Sequence, residues 1–166
     1  FLLAGCASAG GSQSRDLDLK ELCREEQVFQ YADFEWGTDS EQLFKQSSLK
    51  FDEKDLGQGD ESSTKTYESK EKFSLENAES NMDLEFSDGQ LSQVSFTFDI
   101  EQDANTWIQK EVDELNSLYG GGIATGLGNQ IYQWQGEQDT VLQLTAFTEG
   151  DESATVILNV ASMEYS

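Results

Sequence analysis

Between Met82 and Phe98 apolar and polar side chains alternate: Met82, Leu84 and Phe86 are interleaved with Asp83, Glu85 and Ser87, and Val94, Phe96 and Phe98 with Ser95 and Thr97. A period of two places every apolar residue on one face of an extended chain, so the pattern predicts two strands, each buried on one side. Asp88-Gly89 lies between them and accepts the positive φ angles that a two-residue hairpin turn demands. Residues 82–98 therefore read as a β-hairpin. The strand pattern reaches back to Thr64 through Tyr67, Phe73 and Leu75. Beyond the hairpin, Gln130 to Gln135, Thr140 to Phe147 and Ala154 to Ala161 read as three more strands, divided by Gly136-Glu137-Gln138-Asp139 and Glu149-Gly150-Asp151-Glu152 as turns. The last of them is nearly all apolar, which predicts a central place in the sheet.

In two places the period changes to that of a helix. Ile108, Val112, Leu115 and Tyr119 form one stripe within Asp103 to Tyr119, flanked by Trp107 and Leu118, and Gly120 is placed to end it. Thr38 followed by Glu41 makes a capping box opening onto Leu43 and Phe44, which predicts a short helix fading by Ser47 or Ser48. A third, shorter helix is predicted within Asp16 to Gln27 from Leu17, Leu19, Leu22 and Cys23. A helix followed by about three antiparallel strands thus occurs twice. Two such units can share one sheet, so the expected fold is an α+β two-layer sandwich, an antiparallel sheet with helices on one face.

Tyr132 and Trp134 share one face of a short strand. Packed under the helices they belong to the core; if the helices cover the other face, Tyr67, Tyr132 and Trp134 become an exposed aromatic patch and a candidate interaction face.

The 166 residues fit a single domain, expected over residues 16–166 with its core in 31–166. No apolar run approaches the roughly 20 residues needed to span a bilayer. The chain carries 33 Asp and Glu against 10 Lys and Arg, a net charge of −23. Such a surface repels phosphate backbones, whose binding depends on basic side chains, so no nucleic-acid partner is expected. There is no histidine, which excludes Ser-His-Asp and Cys-His catalysis and removes the commonest metal ligand. No catalytic residue and no cofactor is assigned, and a non-catalytic protein is expected. A carboxylate-pair hydrolase is the less favoured alternative, since a glycosidase needs only two suitably spaced acids, with no pair singled out among so many.

Leu3-Ala4-Gly5-Cys6, after Phe1-Leu2, resembles the lipobox of bacterial lipoproteins. The resemblance implies that residues 1–5 are the end of a secretory signal, that Cys6 is acylated and becomes the mature N-terminus, and that Ala7 after it directs the protein to the outer membrane, facing the periplasm. Residues 6–15 then form the lipidated cysteine and a flexible tether, and the membrane is a partner through the lipid on Cys6 alone. With Cys6 acylated, Cys23 has no internal disulfide partner.

Gly37-Thr38-Asp39-Ser40-Glu41-Gln42-Leu43 is similar to the helix start of small secreted domains of the β-lactamase-inhibitor-protein-like group, which includes outer-membrane assembly lipoproteins. The Leu-Gly-x-Pro ending of that group's first helix is missing, since the chain has no proline. The resemblance implies a protein-binding or scaffolding module with an envelope protein as partner.

The acidic loop Asp52 to Ser63 is a candidate for the alternative function, a cation- or small-ligand-binding lipoprotein. Asp52, Asp55, Asp60 and Glu61 offer the oxygen ligands calcium requires, but Lys54 and Leu56 fall where an EF-hand loop places its third and fifth positions. Gly120-Gly121-Gly122 and Gly126-Leu127-Gly128 follow a helix and lead to a strand, the reverse of a phosphate-binding loop, and read as a connection.

Overall fold

The computed structural model describes residues 14–57, 63–125 and 130–166, which form a mixed α/β fold made mostly of sheet. In chain order its elements are β1 (Ser14–Asp16), a 3₁₀ turn (Leu19–Leu22), β2 (Cys23–Arg24), a second 3₁₀ turn (Glu25–Gln27), β3 (Val28–Phe29), α1 (Ser40–Gln46), β4 (Phe51–Lys54), β5 (Thr64–Leu75), β6 (Ala78–Ser87), β7 (Gln90–Ile100), α2 (Ala104–Tyr119), β8 (Ile123–Thr125), β9 (Gln130–Gln135), β10 (Thr140–Glu149) and β11 (Ser153–Ser162). Among the described residues nine strands make one sheet in the order β1-β5-β6-β7-β11-β10-β9-β8, with β4 also pairing β5, while β2 and β3 form a small ladder of their own. Among the described residues no helix is long and apolar enough to cross a membrane.

The hairpin predicted around Asp88-Gly89 is β6–β7, with both turn residues at positive φ. Its register slips between Glu85 and Phe86, and the additional residue, Ser92, turns its hydroxyl back to the Glu85 carbonyl at 3.2 Å. The apolar strand β11 lies between β7 and β10, inside the sheet as its composition predicts. Register then aligns one continuous apolar face: Met82 opposite Phe96, Phe96 opposite Leu158, and Leu158 opposite Leu144. All four are buried. Helix α2 packs Ile108, Val112 and Leu115 on this face and sets Trp107 against Phe98 at 5.7 Å between ring centroids. Phe44 of α1 meets Tyr67 and Phe86 on the same face, at 5.0 and 6.2 Å.

Five local expectations need correction. Ser14 and Arg15, expected in the tether, belong with Asp16 to β1, which pairs in parallel with Lys72 to Ser74 of β5, and Leu17, Leu19, Leu22 and Phe29 are buried in the core that was expected to start at residue 31. No α-helix forms between Asp16 and Gln27: Glu26 and Gln27 take positive φ, which breaks any helical run, and instead one 3₁₀ turn precedes β2 and a second joins β2 to β3. Helix α1 is capped by Asp39, whose carboxylate accepts from the Gln42 amide at 2.9 Å, and not by Thr38. Residues 52–54 of the expected acidic loop belong to strand β4, and Ile123–Thr125 of the glycine-rich connection forms the edge strand β8.

Candidate functional site: an acidic cleft walled by aromatic rings

A cleft of about 820 Å³ opens where the β2–β3 ladder, the loop before α1, the β9–β10 turn and the chain after β11 converge. Its walls are set by contacts far apart in sequence. The Gln27 carbonyl accepts from the Glu137 amide at 3.0 Å, and the Phe29 amide donates to Thr140 Oγ1 at 2.9 Å. Thr140 Oγ1 in turn donates to the Glu137 carbonyl at 2.7 Å, so one buried hydroxyl ties ladder and turn together. Both turns hold consecutive non-glycine residues at positive φ, Glu26 and Gln27 in one and Gln138 and Asp139 in the other. Gly136 permits their approach: a Cβ there would stand 2.6 Å from the Gln27 carbonyl and 2.7 Å from the Phe29 ring.

The aromatic walls are Trp36 and Tyr165. Trp36 donates its indole N–H to the Phe29 carbonyl at 2.9 Å. The Tyr165 ring lies over Gly37, where a Cβ would come within 2.7 Å of it, and the preceding chain is tied by the Met163 amide to the Asp139 carbonyl at 2.8 Å. Four carboxylates line the space, Glu25, Glu26, Glu35 and Glu164, against one guanidinium, Arg24. Arg24 stands 3.9 Å from Glu35, with both side chains exposed, a contact of small energy. Among the described residues Glu25, Glu26 and Glu164 have no cationic partner. Cys23 also lines the cleft, and burial pushes its thiol above the ordinary range, which disfavours the thiolate. Rings beside unpaired carboxylates suit a cation carried on an apolar stem, the chemistry of lysine and arginine side chains.

The residues singled out from sequence lie elsewhere. Trp134 is 2% exposed and donates its indole N–H to Asn116 Oδ1 at 3.1 Å and to the Gly120 carbonyl at 3.0 Å, fastening the end of α2 to the sheet. Tyr67 and Tyr132 are half-buried on the same covered face. The three do not form an exposed patch, because the helices cover the face that carries them. Asp52 lies in β4 and pairs with Lys70 at 3.3 Å, while Asp55 accepts from the Gly57 amide at 2.9 Å. Asp60, Glu61 and Cys6 lie outside the described residues. Among the described residues no group of three or more Asp, Glu or Cys side chains is arranged to hold a metal ion.

Trp36 and Tyr165 were not legible as a pair. The signal available was Gly37 directly after Trp36, a position too tight for any side chain, but its partner lies in a tail with no pattern. No family model matches this chain, and no curated protein or solved structure does so either.

Proposed function

We propose that this chain is a lipid-anchored protein of the bacterial cell envelope, held through Cys6 and facing the periplasm from the outer membrane, whose domain is a non-catalytic protein-binding module. In this reading the domain is a two-layer α+β sandwich of two helix-then-strand units, and the cleft receives a Lys/Arg-bearing segment of an envelope protein. The observation that carries the reading is the cleft itself, in which two aromatic walls accompany three carboxylates without a cationic partner among the described residues. The resemblance of residues 37–43 to the β-lactamase-inhibitor-protein-like group, and of residues 3–6 to a lipobox, point the same way.

Trp36 provides the probe. A lysine- and arginine-rich decapeptide titrated into the protein should change its tryptophan fluorescence saturably, and Glu25→Gln with Glu26→Gln and Glu164→Gln should weaken binding by at least about tenfold and flatten its salt dependence. Equal affinity in the triple variant removes the cleft from the proposal. The anchor is tested separately, by mass spectrometry of the mature N-terminus in a bacterial host: acyl mass on Cys6 is expected, and a mature protein retaining Phe1 without it overturns the localisation. The alternative, a cation-binding lipoprotein, predicts saturable heat on calcium titration.

A further inference from the structure

Helix α2 buries a carboxyl group inside its apolar seam. Glu111 falls between Ile108 and Leu115 on the helix face that meets the sheet, is 1% exposed, and among the described residues neither of its oxygens has a hydrogen-bond partner. An ionised carboxylate in that position would be an uncompensated buried charge, so the docked helix favours the neutral acid. The groups around it reinforce this. From its own helix come Glu114 and Lys110, and from the β5–β6 turn Glu76; Asp16 and Asp18 of the N-terminal segment line the groove of about 400 Å³ that Glu76 and Glu114 share. The covered sides of β10 and β11, on which α2 packs, present no charged residue: Leu144, Val156 and Leu158 lie there, with Thr140 and Ser162 as buried hydroxyls. Lys110 is the single cation in this set, and it is engaged with Glu76 at 2.6 Å. Burial first, then Glu114 and Glu76, push the Glu111 carboxyl up to about 7, and Lys110 offsets this only in part.

The far end of the same helix holds the cleft wall. Tyr119 donates its hydroxyl to the Leu19 carbonyl at 2.6 Å, its own carbonyl accepts from Gln27 Nε2 at 3.4 Å, and its ring meets Phe29 edge-on at 5.2 Å. Gln27 and Phe29 belong to the segment that carries Glu25 and Glu26.

We propose that Glu111 is a proton-operated latch: protonated, it lets α2 seat on the sheet and brace the β2–β3 wall of the cleft; ionised, it loosens the helix and that wall with it. The effect on the cleft rests on the binding function proposed above; the latch does not. Because the folded-state value lies above the ordinary 4.5, stability from this group is fully present below 4.5 and is lost as pH rises through about 7.

The test uses the full chain and Glu111→Gln, with Glu111→Met as a second variant should the amide fail to fold. In urea unfolding, the equilibrium constant of the wild type should rise by at least about tenfold more than that of either variant between pH 5 and pH 8. Amide exchange in residues 108–115 and 23–29, corrected for intrinsic rate, should accelerate over the same range in the wild type alone. The basic decapeptide should bind the wild type more tightly at pH 6 than at pH 8, and bind the variants equally at both. Identical pH slopes and exchange in wild type and variants overturn the latch. A latch signature with no peptide binding at any pH overturns the cleft function and leaves the latch standing. A latch signature with pH-independent peptide binding overturns the coupling between them.

Discussion

Two acidic side chains, Asp83 and Glu111, sit on opposite sides of the same sheet, and burial pushes the pKa of each upward. Asp83 faces the uncovered side, where β4 brings Lys54 to 3.0 Å from one carboxylate oxygen and 3.3 Å from the other, with Glu68 on the far side of the ammonium at 3.1 Å. Burial alone would pull Lys54 down, but hydrogen bonds to Asp83 and Glu68 outweigh it and hold its ammonium charged above the ordinary range. For Asp83 the balance runs the other way, with burial ahead of Lys54's pull. The two-oxygen contact favours the ionised pair, in which the cation offsets part of the cost of partial burial. Glu111 faces the covered side, where the nearby ammonium is turned toward Glu76 and, among the described residues, nothing donates to its oxygens. One region keeps an acid charged by bringing a cation to it; the other keeps an acid neutral by withholding one.

Substitutions should separate the two sides of the sheet by size and by sign. The largest loss is expected from Phe96→Ala in the covered layer, where the ring contacts Tyr31, Phe73 and Phe98: about 3–5 kcal/mol in urea unfolding, through lost burial and a residual cavity. Glu111→Gln should act with the opposite sign, gaining about 1–3 kcal/mol at pH 8 and nothing at pH 4.5, because only the ionised acid carries the penalty. On the uncovered side Lys54→Met should cost about 1 kcal/mol at neutral pH, a modest figure because both partners are partly solvated. Its sign follows from Asp83: with Lys54 gone the folded-state value climbs further, so the loss appears only as pH rises through the wild type's already raised value, is full at neutral pH, and vanishes in acid. Thr97→Ala, an exposed position beside Phe96, should stay within about 0.5 kcal/mol. A Thr97→Ala loss as large as that of Phe96→Ala in the same denaturant series would mean that the uncovered face is occupied.

Much of the sheet was legible in the chain. The alternation through β6 and β7, the Asp88-Gly89 turn and the apolar run of β11 each read correctly because the signal is carried by neighbouring residues. Helix α2 read correctly for the same reason, although its predicted stripe omitted Glu111, since polarity alone assigns a glutamate to water. Elements of two to four residues did not read. β1, β4 and β8 contain no full alternation, and each is a strand only because a longer one offers its edge: Lys72 to Ser74 for β1, Thr66 to Ser69 for β4, and Ile131 to Gln133 for β8. The cleft was illegible for a related reason, as its walls depend on contacts such as Gln27 with Glu137 and Phe29 with Thr140.

Periodicity and turn chemistry are local properties, so the amino-acid order by itself determined the types of the long elements, the inward side of each strand and the acidic character of the surface. Docking decided the rest. Which face the helices would cover depended on how two apolar stripes and a sheet bury area together, and that choice placed Tyr67, Tyr132 and Trp134 inward and left Trp36 and Tyr165 as cleft walls. The same packing settled which acids became unusual, because a carboxylate's charge state depends on the neighbours brought to it through space.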